Sequence, residues 1–73
     1  MAELRKEFGK RLQLLRRQAG LTQEQLAEQV EISVDFLSLV ERGVNAPSFD
    51  NLEKISKALD IEVRELFDFT KHK

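Results

Sequence analysis

TQEQLAEQVEISVDFLSLVERG, residues 22–43, holds two short helical patterns with almost nothing between them. Thr22 stands where a helix N-cap belongs, and Gln25 three residues later completes a capping box, so a helix starts here. Leu26, Ala27 and Val30 are its apolar stripe. Ser33 reads as the next N-cap, Leu37 and Val40 as the inward side of the next helix, and Gly43 as its left-handed stop. Only Glu31 and Ile32 separate the two patterns. A connection that short forces a steep angle between the helices.

Two helices joined so tightly make a helix-turn-helix corner. The same corner occurs in purely structural bundles, so spacing alone assigns it no partner. Outward from it the chain stays helical. Upstream, Leu4, Phe8, Leu12, Leu15 and Ala19 recur in three- and four-residue steps, and Gly20 ends the run. Downstream, after the loop Val44-Asn45-Ala46-Pro47, Ser48 caps a fourth helix carrying Leu52, Ile55 and Leu59. A last turn or two holds Val63, Leu66 and Phe67. Period-two alternation and hairpin dipeptides are missing, which excludes a sheet. Leu26, Leu37, Val40, Leu52 and Leu59 are the expected core.

At 73 residues the chain is expected to form a single domain, with its core over about 4–69 and a frayed C-terminal tail. A domain this small is near the lower limit for a self-supporting core, so pairing with a second copy is a natural supplement. Without cysteine there is no disulfide or thiolate metal site. No signal peptide or membrane span is recognisable, and the expected location is the cytoplasm. His72 is the one histidine, beside Lys71 and Lys73. No nucleophile–base pair or metal-ligand cluster accompanies it, so neither enzyme activity, a metal, a cofactor nor a small-molecule ligand is expected.

The net charge of −1 hides an asymmetry. Residues 1–19 carry Arg5, Lys6, Lys10, Arg11, Arg16 and Arg17 against Glu3 and Glu7, a balance of +4; residues 20–73 carry six bases against eleven acids, a balance of −5. The basic end is either a solvated helix face or a surface that meets phosphate.

LTQEQLAEQV (21–30), Ile32-Ser33, VERG (40–43), PSF (47–49) and LEKISKAL (52–59) together resemble the Cro/phage-repressor type of helix-turn-helix protein, the xenobiotic-response-element family. The resemblance covers roughly Phe8 to Phe67. It implies an all-α, five-helix, lambda-repressor-like fold whose second and third helices read double-stranded DNA, in a transcriptional regulator that works as a homodimer.

Carried over by position, the resemblance places Gln23 and Thr22 near backbone phosphate at the start of the second helix, where free amides suit an anion. Arg42, Asn45, Gln13 and Arg17 are further phosphate candidates. Arg16 and Glu41 match a partly buried structural ion pair. The third helix, about 33–41, would enter the major groove with Ser33, Val34, Asp35, Ser38 and Leu39 facing bases. Val34 and Leu39 suit thymine methyls, Ser38 donates or accepts, and Asp35 can accept from a cytosine amino group. Phe36 is expected to pack beside the helix.

The pattern also departs from the family. Glu31 and Asp60 stand where it often has glycine, and the loop after Gly43 lacks bases. The reading helix carries two acids and no Lys or Arg. An alternative function is therefore a helix-turn-helix fold used as a protein-interaction module without specific DNA binding. Finally, IEVRELFDF (61–69) offers more apolar surface than one short helix buries, so Leu66, Phe67 and Phe69 are the expected contact with a second copy.

Overall fold

The computed structural model describes residues 2–71. Four α-helices, α1 (Ala2–Gln18), α2 (Gln23–Val30), α3 (Val34–Glu41) and α4 (Phe49–Leu59), are followed by 3-10 helices at Val63–Phe67 and Phe69–Lys71. Among the described residues there is no strand. The expected fifth α-helix is instead the 3-10 helix Val63–Phe67. Leu66 alone in it is fully buried, and a tighter winding lets this single residue point inward from a five-residue segment. His72 and Lys73 lie outside the described residues.

The helix boundaries follow from their caps. Thr22 Oγ1 accepts from Gln25 N at 3.1 Å while Thr22 N donates to Gln25 Oε1 at 2.9 Å, which closes the capping box. Ser33 Oγ accepts from Phe36 N and Ser48 Oγ from Asn51 N. Each such cap satisfies an amide that would otherwise lack a partner, worth about 1 kcal/mol. At the corner, Glu31 adopts φ 67°, ψ 40°, and Ile32 N donates back to Ala27 O at 3.0 Å. Asp60 ends α4 in the same left-handed conformation, with Ile61 N on Ser56 O. Both positions where glycine is usual thus keep the geometry that glycine serves, and the strain is carried by acidic residues.

α2 and α3 pack against each other, α1 lies along α3, and α4 against α2; the 3-10 helix Val63–Phe67 closes the bundle over α1 and α4. Phe8, Leu12, Leu26, Ala27, Val30, Leu37, Val40, Ile55, Leu59 and Leu66 form one buried cluster. The expected core is narrower at its edges than the stripes suggest. Leu4 and Val63 are exposed and Leu52 is only half-buried. No helix among the described residues is long and apolar enough to cross a membrane.

Candidate nucleic-acid interface

The outer face of α3 is set by its helical period. Val34, Leu37, Val40 and Glu41 point toward the rest of the bundle, so Asp35, Ser38, Leu39 and Arg42, spaced by three and four residues, share the opposite side. Asp35 and Arg42 are exposed, and Ser38 and Leu39 are half-exposed. Ser33 is exposed at the cap. Val34 is half-buried and packs against the core on one side. Phe36 packs there too, as expected.

Glu41 anchors this face from beneath. Its Oε2 accepts from Arg16 Nε at 2.7 Å and its Oε1 from Arg16 Nη2 at 3.1 Å, with side-chain exposures of 9% for Arg16 and 1% for Glu41. Arg16 Nη1 donates to Leu21 O at 2.8 Å, at the entrance to α2. Gln23 Nε2 adds a third bond to Glu41 Oε1 at 3.0 Å. The planar fork of Arg16 thereby links α1, the α2 entry and the end of α3 into one network. That fixes the angle between α2 and α3 more firmly than a two-residue turn can.

Two consequences bear on the expected phosphate contacts. Gln23 is half-buried with one amide hydrogen engaged by Glu41, so its side chain is held in place at the start of α2 rather than free in solvent. The amino-terminal bases also divide. Arg11 is 4% exposed and its Nε donates to Glu65 O at 2.9 Å, while Arg16 serves the ion pair. Arg5 Nη1 donates to Val44 O. Lys6, Lys10 and Arg17 remain exposed, and Gln13 is half-exposed one helical turn before Arg17. The basic end is therefore less available to a polyanion than its +4 balance suggests. Asn45 is half-buried, its backbone N–H on Leu39 O at 3.3 Å.

Neither the buried role of Arg11 nor the Gln23–Glu41 bond was legible from spacing, because both join elements far apart in sequence. Gly9 did leave a signal. A glycine inside an amphipathic helix costs about 1 kcal/mol relative to alanine, which marks a packing reason. Phe49, an aromatic directly after a serine cap and 87% exposed, left one as well.

A family model described as helix-turn-helix matches residues 12–66. The control protein C.BamHI of Bacillus amyloliquefaciens is 39% identical over 64 residues, spanning 86% of this chain and 79% of that protein. The transcriptional regulator SlrR of Bacillus subtilis is 41% identical over 62 residues, 84% of this chain, which spans only 41% of that longer protein. Among solved structures, the restriction-modification controller protein C.AhdI from Aeromonas hydrophila superposes with a TM-score of 0.85 at 45% identity, covering 92% of this chain and all of that one.

Proposed function

We propose a function from one premise: the chain belongs to the Cro/C1-type helix-turn-helix family. It is a sequence-specific DNA-binding transcriptional regulator. The 4–69 region acts as one reading domain, paired as a homodimer on a roughly palindromic operator. α3 enters the major groove, where Asp35, Ser38 and Leu39 meet base edges, with Ser33 and Val34 at the margin. Backbone phosphate is held by the start of α2, through Thr22 and Gln23, and by Arg42, Asn45, Arg17 and Gln13.

The observation that carries this reading is the Arg16–Glu41–Gln23 network beneath α3. Three polar side chains from α1, α2 and α3 are drawn together at the point where the corner needs rigidity, which suits a helix that must be presented at one angle. Because Glu41 is neutralised inside this network, Asp35 is the one acid on the outer face of α3. Its place in the first turn also suits the helix dipole.

Fluorescence titration against DNA from the promoter of its own gene and against random duplex, at two salt concentrations, tests the function. The expected result is tighter binding to the promoter, weakening steeply with salt as counterions are released. Equal, feeble binding to both duplexes would overturn it in favour of the protein-interaction module. The donor-poor outer face of α3 is the one feature that favours that second reading.

A further inference from the structure

Asp35 is exposed in the first turn of α3, and its carboxylate has no hydrogen bond or ion pair to any described residue. The helix does not need it as a cap, because Ser33 Oγ already accepts from Phe36 N at 3.0 Å. Nor is it neutralised from its own side of the helix. Ser38 and Leu39 are uncharged, and Arg42 stands seven residues on, about 10 Å along the axis. The outer face therefore presents one free carboxylate, which can only accept.

That chemistry selects among the major-groove edges. Guanine offers acceptors, which repel a carboxylate, and the amino group of adenine stands beside the acceptor N7. Cytosine offers an amino group with no acceptor next to it on its own base. One hydrogen of that amino group is held by the paired guanine, so only the other faces the groove. A methyl group on the paired N4 must take the place of the groove hydrogen. It removes the donor and leaves the carboxylate desolvated against an apolar group, which costs more than the bond itself is worth. A methyl group on C5 leaves the donor intact and adds apolar surface of the kind that Leu39, half-exposed one turn further on, can meet.

We propose that α3 reads the methylation state of a cytosine amino group. The operator is held while the cytosine facing Asp35 is unmodified or carries its methyl group on C5, and released when N4 is methylated. The inference rests on the DNA-reading function above and adds a modified DNA as the ligand that is refused. Asp35 alone on this face enforces the distinction, since the Ser38 hydroxyl turns to donate where it cannot accept.

Fluorescence titration with duplexes from the promoter of its own gene tests this. Single cytosines are replaced in turn by N4-methylcytosine or by 5-methylcytosine, and each duplex is titrated with the parent chain and with Asp35→Ala. The expected result is one cytosine per half-site at which N4-methylation weakens the parent about tenfold or more. 5-Methylcytosine at that position should change affinity by no more than about twofold, and Asp35→Ala should bind all three forms alike, as a double-mutant cycle requires of a direct contact. If no N4-methylated position weakens binding while the promoter is still preferred to random duplex, the methylation reading is wrong and the function stands. Equal loss from both methyl groups overturns it too, because bulk and not the donor is then being sensed. An N4-methyl penalty that persists in Asp35→Ala removes this residue from the contact. Promoter and random duplex bound alike would overturn the function and this inference together.

Discussion

Gly9 in α1 lies against the backbone carbonyl of Glu41 at the end of α3, so close that a β-carbon on Gly9 would stand 2.5 Å from that oxygen and 2.6 Å from Val40 O. Both neighbours are backbone atoms and cannot swing aside. Gly9→Ala gains about 1 kcal/mol of helix propensity. Forcing α1 and α3 apart costs more, since overpacking of a fitted core runs to about 1–3 kcal/mol and here the backbone must move. The expected outcome in urea denaturation is a net loss of stability. A more stable variant would show that α1 slides past α3 without resistance.

The Arg16–Glu41 pair is the stronger constraint on the corner. Removing Arg16 leaves the Glu41 carboxylate buried with only Gln23 beside it, and stranding one member of a buried pair costs about 3–5 kcal/mol. A chain of this length has roughly 4–11 kcal/mol of stability in total, so Arg16→Ala should lose a large fraction of it and unfold at a much lower urea concentration. Replacing both residues together, Arg16→Met with Glu41→Leu, should cost less than the sum of the single changes by about 2–3 kcal/mol. Additive losses in this double-mutant cycle would mean that the bidentate contact has no net coupling.

Glu31 is left-handed, and its carboxylate accepts from Lys54 Nζ at 3.2 Å on the surface. Glu31→Gly relieves backbone strain and removes an acid from the C-terminal end of α2, where the dipole disfavours it. It forfeits an exposed ion pair worth little and adds freedom to the unfolded chain. The expected balance is stabilisation by roughly 0.5 kcal/mol, read as a higher denaturation midpoint at constant slope. A lower midpoint would give the Lys54 contact more weight than exposed pairs carry.

Asp35 stands exposed in the first turn of α3, where a carboxylate favours the helix dipole by about 0.3–1 kcal/mol. Asp35→Asn keeps a polar side chain there and removes the charge. If Asp35 accepts from a cytosine, discrimination between operator and a single-base variant should fall by about 1–3 kcal/mol. If the acid only steadies the helix, affinity should rise equally for operator and random DNA. No change on either duplex would count against α3 as the reading element.

Arg17 and Arg11 sit in the same basic segment and should behave oppositely. Arg17→Ala should leave stability unaltered, as should Arg42→Ala, and each should lower the salt slope of DNA binding by about 1. Arg11→Ala uncovers Glu65 O, its partner in the 3-10 helix, and should cost about 1–3 kcal/mol of stability. A salt slope that responds to neither Arg17 nor Arg42 would remove both from the phosphate contacts.

Local grammar made the helices legible. Caps at Thr22, Ser33 and Ser48, stops at Gly20 and Gly43, and the stripes around Leu26, Leu37 and Leu59 are short-range facts, each settled by a few neighbouring residues. The turn position of Glu31 was marked only by the resemblance, whose pattern often has glycine there, and the structure gives it φ 67°. What a charge or an exposed ring does depends on residues dozens of positions away. Among the six amino-terminal bases the resemblance singled out Arg16 as the partner of Glu41, 25 residues on, but nothing in the sequence marked Arg11, which packing sent to a carbonyl 54 residues on. Leu52, Val63 and Leu66 shared the same apolar character, but only Leu66 reached the core. Periodicity says which face of a helix is apolar; whether that face is covered depends on which other helix lies across it, and that is settled only when the bundle closes.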